Sequence, residues 1–297
     1  PETIAAVSDA LHALGHQVAL LGSAHNLVRA PWRLSEVELV FNLAEGSHGR
    51  CREAWVPTIL ELSGVRYVGS DPLTLMLGLD KLVCKRLAHA SGVPTPRWIC
   101  LEHPRVLPTT MPLVFPLIVK PRWEGSGRGI DAGAVVDTHD ALVRRVRWLV
   151  DRCRQPLVIE EFIAEGELTV CVIGNDPPHA YPAIQRPLDH ATRLSCHVVS
   201  PPPLAGDAPL LLEEALDVRA REMALAMFEL LGCRDMARVD LRVDRDGRLY
   251  FLEINPLPSF DPTGRFDLLA EHLGTTYTTL IDRILEAALE RRPHERV

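Results

Sequence analysis

Near the C-terminal end of the sequence, Arg238, Asp240 and Arg242 alternate with Val239, Leu241 and Val243, and shortly afterwards Glu253 and Asn255 flank Ile254. Side chains of an extended chain alternate between two faces, so each polar set shares one face. If the two segments pair, Asp240, Glu253 and Asn255 converge as an all-oxygen cluster. That donor set suits Mg²⁺, which takes few protein carboxylates and completes its shell from phosphates and water. Asn255 followed by Pro256 reads as a strand ending at the edge of a site. Taken alone, the pattern also fits a solvated sheet face carrying an Arg–Asp pair.

Two further clusters point to a nucleotide. Lys120 closes the apolar run 116–119 and precedes Pro121 and a glycine-rich stretch, Glu124-Gly125-Ser126-Gly127-Arg128-Gly129. A lysine beside backbone N–H donors can cradle phosphates, although most such stretches are ordinary turns. The spacing is neither that of a Walker A loop nor that of a dinucleotide fingerprint. Glu160-Glu161-Phe162-Ile163 followed by Glu167 offers a backbone edge to adenine and a carboxylate to ribose hydroxyls. By itself that segment reads better as an acidic face turned to solvent.

These residues need elements to position them. Periodicity predicts helices over 3–14, 54–62, 71–77, 81–90, 140–150, 210–231 and 275–289. It predicts strands over 17–21, 37–43, 116–121, 157–163 and 167–173. Residues 236–243 and 248–254 form a hairpin across the turn Asp244-Arg245-Asp246-Gly247. Residues 183–206, with three consecutive prolines, read as an irregular loop. The alternation argues an α/β class. A strand–loop–helix unit starts on its strand, so a short strand and loop are expected ahead of residue 3.

Composition narrows the function classes. The chain has 297 residues, enough for two or three subdomains, with 47% hydrophobic and 24% charged residues and a net charge of −7. There is no basic run to suit nucleic acid, no apolar run long enough to span a bilayer and no signal-peptide pattern. Seven scattered cysteines without a C-x-x-C pair read as free thiols of a cytoplasmic protein.

Together the motifs make the chain resemble the ATP-grasp superfamily, and within it the D-alanine–D-alanine ligase family, over residues 3–291. In family order they are Phe41-Asn42-Leu43-Ala44-Glu45-Gly46, Tyr67-Val68-Gly69-Ser70, Asp80-Lys81, Val93-Pro94-Thr95-Pro96, Ile118-Val119-Lys120-Pro121, Glu124-Gly125-Ser126, Glu160 to Ile163 with Glu167-Leu168-Thr169-Val170, Ala237-Arg238-Val239-Asp240 and Glu253-Ile254-Asn255. No single motif is decisive; their shared order is.

The resemblance implies an α/β ATP-grasp fold with an N-terminal Rossmann-like subdomain at 1–72, a central lid subdomain at 73–163 and a catalytic subdomain at 164–297. It implies that Lys81 and Lys120 hold ATP phosphates and that Glu124, Gly125, Ser126 and Gly127 belong to the loop closing over them. Glu160, Glu161, Phe162 and Ile163 become the adenine hinge, and Glu167 the ribose carboxylate. Asp240, Glu253 and Asn255 become ligands of two Mg²⁺ ions. Arg238 steadies the transferred phosphoryl group, with Ser126 and Glu45 in the catalytic set. Glu45 and His48 fall near the first substrate, where Glu45 could hold an ammonium or simply be exposed. The implied activity is amide-bond formation between small amino-acid or peptide substrates through an acyl-phosphate, and the implied assembly is a homodimer.

Departures bear on the substrate. The family's second loop serine is Gly127 here, followed by Arg128. The lysine and tyrosine of the family's active-site loop give way to Asp189-His190-Ala191-Thr192-Arg193. The acceptor segment reads Asn255-Pro256-Leu257-Pro258-Ser259, with Gly264-Arg265 where the family carries Ser-Leu. Arg265 could grip an acceptor carboxylate two-pronged or be merely exposed. The expectation is a ligase whose acceptor is not D-alanine, with the donor left open between D-alanine and another acid. The competing readings are a housekeeping D-Ala-D-Ala ligase, a ligase for a larger acid, and a silent ATP-binding protein.

Overall fold

The structure, a computed structural model, describes residues 2–102, 107–108, 110–125, 127–195, 212–262 and 265–291, without the side chains of Arg186, Arg265 and Asp267. Helix α1 (Glu2–Ala13) turns Val7 and Ala10 inward. A short α2 (Ala24–Arg29) and a 3₁₀ turn (Pro31–Glu36) lead to β1 (Leu39–Phe41), and α3 (Trp55–Leu62) returns to β2 (Arg66–Val68). The strands β1 and β2 pair in parallel. Residues 17–21 were expected to be a buried strand and are not one: they carry no regular structure, and Leu20 is 63% exposed. A strand needs a partner ladder, and here the Leu20 carbonyl accepts instead from Arg33 Nη2 at 2.8 Å.

Helix α4 (Pro72–Leu79) starts on the Asp71 cap with proline at its first position, and α5 (Lys81–Ala90) follows after the single residue Asp80. Next come β3 (Trp98–Leu101), β4 (Leu117–Pro121), β5 (Val135–Val136), α6 (His139–Cys153) and β6 (Leu157–Glu161). These strands form an antiparallel sheet in the order β3-β6-β4-β5. One face packs Leu117, Val119, Leu157 and Ile159 against Leu142, Val146 and Leu149 of α6. Ile118, Lys120 and Glu160 point the other way, as strand alternation requires. Strand β6 stops at Glu161 rather than Ile163. The Phe162 N–H still bonds the Pro116 carbonyl at 2.9 Å, but proline has no N–H to return the bond.

The second sheet holds β7 (Gly166–Ile173), β8 (His179–Ala180), β9 (Ile184–Arg186), β10 (Met236–Val243) and β11 (Leu249–Asn255). Its order is β11-β10-β7-β8, with β9 also on β7. The expected loop over 183–206 therefore begins as a strand, since Ile184–Arg186 supply ladder partners to Thr169–Glu167; residues 196–206 lie outside the described residues. Helix α7 (Glu214–Leu230) covers one face, where Ala220, Ala224, Met227 and Phe228 meet Leu168, Val170, Val239 and Leu241. Its first expected residues, 210 and 211, are also outside the described set. Helices α8 (Arg265–His272) and α9 (Tyr277–Glu290) pack with α1 and Val68 in a further core. Gly78 lets α4 approach β11, since a Cβ there would lie 2.7 Å from Pro256 Cδ. Among the described residues, no helix is long and apolar enough to cross a membrane, and six cysteines are free.

Candidate active site

The antiparallel register of β10 and β11 sets Arg238 opposite Asn255 and Asp240 opposite Glu253, with a bulge after Asp240. The expected convergence of Asp240, Glu253 and Asn255 is thus the arrangement found. Val239 and Leu241 are buried on the other face against α7. Arg238 clasps Asp240 through Nε, 3.2 Å from both carboxylate oxygens, and through Nη2 at 3.0 Å. Thr169 Oγ1 donates to Asp240 Oδ1 at 2.8 Å from the neighbouring strand. Lys81 Nζ donates to Glu253 Oε2 at 2.5 Å. Burial alone would raise Glu253, but Lys81 beside it, with Arg238 and Lys120, holds the carboxyl at about 2. The same pairing outweighs burial at Lys81 and raises its pKa.

Across the cleft stands the face of β4 and β6. Lys120 Nζ donates to Glu160 Oε2 at 3.2 Å, and Lys85 Nζ lies 3.6 Å from the same oxygen. Glu160 is 1% exposed. Burial favours its protonated form, and the two lysines more than offset that, keeping the carboxylate ionised. Lys85 is fully buried on α5, donates to Thr95 Oγ1 at 2.6 Å, and has its pKa pushed down to about 8 by burial. Toward the outer end, Arg242 donates through Nη2 to Glu167 Oε2 at 2.7 Å and through Nη1 to the Ile163 carbonyl at 2.7 Å, with its guanidinium 4.7 Å from the Phe162 ring centre.

One open cleft runs between the two faces. It is lined by Lys81, Lys120, Glu124, Gly127, Glu160, Glu161, Phe162, Ile163, Glu167, Arg238, Asp240 and Glu253, joined by Arg128, Arg242 and Ser195. Apolar Ile118, Ile130, Phe162 and Leu194 line part of it, a surface suited to a flat ring. Asn255 sits beside it, half-buried, with its Nδ2 out of solvent and donating no hydrogen bond, and a Cβ on Gly125 would lie 3.8 Å from its Oδ1.

The glycine-rich loop is pinned at its start. Arg52 Nη1 donates to the Trp123 carbonyl at 2.7 Å and Nη2 to Glu124 Oε2 at 3.4 Å, while Gln155 Nε2 donates to Glu124 Oε1 at 2.9 Å. Arg128 lies 3.9 Å from Glu45, so Glu45 belongs to a bridge between the loop and the 45–53 segment. His48 is exposed, with Nδ1 2.9 Å from Ser47 Oγ, and does not line the cleft. Ser259 Oγ accepts from the Asp261 N–H at 3.4 Å. Ser126, Gly264 and the Arg265 side chain lie outside the described residues. Sequence reasoning assigned no role to Thr169, Arg242, Lys85, Arg52 or Glu53. Arg242 was already placed on the face of Asp240 without a role, and for Thr169 a signal existed, since strand alternation from Glu167 puts it on the cleft face.

Glu53 gives a stability prediction. Its side chain is 13% exposed, and burial, reinforced by Glu45 and opposed by Arg52, pushes its carboxyl from 4.5 up to about 7. The fold therefore keeps a proton that the unfolded chain releases. Stability from this group is present below about 4.5 and declines as pH rises to about 7. Glu53→Gln should stabilise by about 3 kcal/mol at most above that window and leave stability at about pH 4 unchanged. Denaturant titrations at the two pH values check it.

Asp240, Glu253 and Asn255 form an oxygen set on one face of the hairpin, with the Glu253 carboxyl held low by Lys81, and that set fits Mg²⁺ shared with phosphate oxygens. Among the described residues, no group of three or more His, Cys, Asp or Glu comes together as a metal cluster.

Comparison with known proteins gives the family and the fold. A family model described as the D-ala D-ala ligase C-terminus matches residues 87–286. The uncharacterized protein y4sG of Sinorhizobium fredii strain NBRC 101917 / NGR234 is 34% identical over 299 residues, covering 96% of this chain and 87% of its own. A D-alanine–D-alanine ligase of Synechococcus sp. strain JA-3-3Ab is 31% identical over 298 residues, covering 96% and 88%. Among solved structures, the ATP complex of D-alanine–D-alanine ligase from Bacillus anthracis matches with a TM-score of 0.77 at 24% identity, covering 97% of this chain and 92% of that one. The VanG D-Ala:D-Ser ligase of Enterococcus faecalis matches with a TM-score of 0.69 at 22% identity, covering 85% and 73%. The two structures share the fold.

Proposed function

We propose that this chain, which belongs to the D-alanine–D-alanine ligase family, is an ADP-forming ligase that joins the carboxylate of one amino acid to the amine of another through an acyl-phosphate. The observation that carries the reading is the buried net of Lys81, Glu253, Arg238 and Asp240 facing Lys120 and Glu160 across one cleft. Nucleotide-only recognition gives no reason to bury two acid–cation pairs at the far wall.

The charges set each residue's task. A carboxylate attacking the γ-phosphate brings anion to anion, and Lys81, Lys120 and Arg238 offset that repulsion. Asp240, Glu253 and Asn255 would hold Mg²⁺, which when bound neutralises the phosphate oxygens. Phe162 and the Glu161–Ile163 backbone would hold adenine, and Glu167, steadied by Arg242, the ribose. The loop at 124–129 shields the acyl-phosphate from water until the amine attacks. The reading includes the division at residues 72 and 163 and a reducing cytoplasm, where free thiols persist.

The substrates depart from D-alanine in this reading. Arg128 follows the glycine that replaces the family's second loop serine, and its guanidinium lies 3.9 Å from Glu45. The Asp189–Arg193 run makes a tight turn, with the Thr192 N–H on Asp189 Oδ1 at 2.7 Å and Arg193 Nε on the Ala164 carbonyl at 3.2 Å. Arg265, at the first position of α8, is proposed to receive the acceptor carboxylate. Arg265→Leu should raise the acceptor KM about tenfold or more for free acids and leave it unchanged for the matching amides.

The test is phosphate release from ATP and Mg²⁺ with D- and L-amino acids, singly and in pairs. Release that requires one acid–amine pair, and is lost in Asp240→Asn, supports a ligase. Absence of any stimulation overturns it in favour of a silent nucleotide binder. Efficient D-Ala-D-Ala formation overturns the altered specificity alone.

A further inference from the structure

Lys81 and Lys120 reach the cleft from different elements, α5 and β4, and no contact between their side chains fixes their spacing. The residues next to them do make such a contact. Asp80 directly precedes Lys81, and Arg122 follows Lys120 after the rigid Pro121. Arg122 Nε donates to Asp80 Oδ1 at 2.8 Å, and Nη2 donates to Oδ2 at 2.9 Å. Trp123 Nε1 adds a bond to Oδ2 at 3.1 Å. The Lys81 N–H closes the loop by donating to the Arg122 carbonyl at 3.2 Å. Asp80 Oδ1 also caps α5, accepting from the Leu82 and Val83 N–H groups at 3.1 and 3.2 Å.

Asp80 and Arg122 are 3% and 8% exposed, and neither lines the cleft. A two-pronged carboxylate–guanidinium pair fixes an angle as well as a distance. The more exposed Glu102 takes Arg122 Nη1 at 2.8 Å and Arg50 lies 3.8 Å from Asp80, but of these ion pairs only the Asp80–Arg122 fork ties the start of α5 to the end of β4. An ordinary helix cap needs only the two backbone bonds. We propose that Asp80 and Arg122 are positioning residues that set the spacing of Lys81 and Lys120 and so fit the site to a nucleoside polyphosphate over a monophosphate. The proposal rests on the reading of both lysines as phosphate ligands.

The experiment is calorimetric binding of Mg·ATP and of AMP to the full chain and to Asp80→Asn, Arg122→Lys, their double variant, Lys81→Ala and Lys120→Ala. Arg122→Lys keeps the charge and loses only the fork, so it remains informative where Asp80→Asn fails to fold. The expected result is Mg·ATP affinity reduced about tenfold or more in each Asp80 or Arg122 variant, AMP affinity within about twofold of the parent, and a double variant no weaker than its weaker parent. Equal loss for ATP and AMP would reduce the pair to an ordinary structural salt bridge. Unchanged ATP affinity also overturns the proposal. If the two lysine variants bind Mg·ATP like the parent, it is the phosphate reading beneath it that fails, and that shows separately.

Discussion

Replacing Arg238 with methionine should lower kcat by about 10³-fold while changing the KM for ATP only a few-fold. The guanidinium is 3% exposed, and its partner is the carboxylate of Asp240, a proposed metal ligand. It therefore stands where negative charge gathers on the reacting phosphoryl group, and it contributes most when that charge is largest. Adenine, ribose and the two lysines would bind the ground-state nucleotide without it. The stability effect has a definite sign: Asp240 keeps Thr169 but loses its counter-charge, and one-sided removal from a buried pair costs about 3–5 kcal/mol. Divalent cation should return part of that loss, because it supplies the missing charge. Arg238→Lys, a point charge without the fork, should fall between. Steady-state kinetics and thermal melts with and without Mg²⁺ measure both effects.

Asp240→Asn and Glu253→Gln should each reduce turnover about 10²–10³-fold, but with opposite side effects. Asp240→Asn leaves Arg238 buried without its acid, so stability falls. Glu253→Gln leaves Lys81 as the uncompensated charge, so the pKa of Lys81 drops from its raised value. Nucleotide affinity in Glu253→Gln should then weaken as pH rises toward that lowered pKa, a dependence the parent lacks over the same range. In both variants the Mg²⁺ concentration giving half-maximal rate rises, because each removes an oxygen ligand. Magnesium titrations of the rate, repeated at several pH values, separate the two.

Much of this site could be read in the sequence because it lies on strands with strict alternation. Arg238, Asp240, Glu253 and Asn255 needed only the period of two and a hairpin turn to be placed on one face. Lys120 stood out as the end of a strand closed by proline, whereas Lys81 entered only through the resemblance to the family. Residues 17–21 misled for a related reason: an apolar run shows burial propensity, whereas a strand also needs a partner, and pairing is not local. The same limit hid β3 and β9, short strands that exist through ladders to β6 and β7. It hid the loop anchor too, since Arg52 meets Trp123 and Glu124 about seventy residues away. The pairing of Asp80 with Arg122 is equally non-local.

The central claim is that a substrate carboxylate is activated as an acyl-phosphate on this cleft. Oxygen-18 in that carboxylate tests it directly, using whichever acid and amine stimulate ADP release. Attack on the γ-phosphate makes one carboxylate oxygen the bridge to phosphorus, and expulsion by the amine leaves it on phosphate. The account predicts one labelled oxygen in each phosphate released, with ADP as the nucleotide product. Unlabelled phosphate, or label carried into AMP, would contradict it.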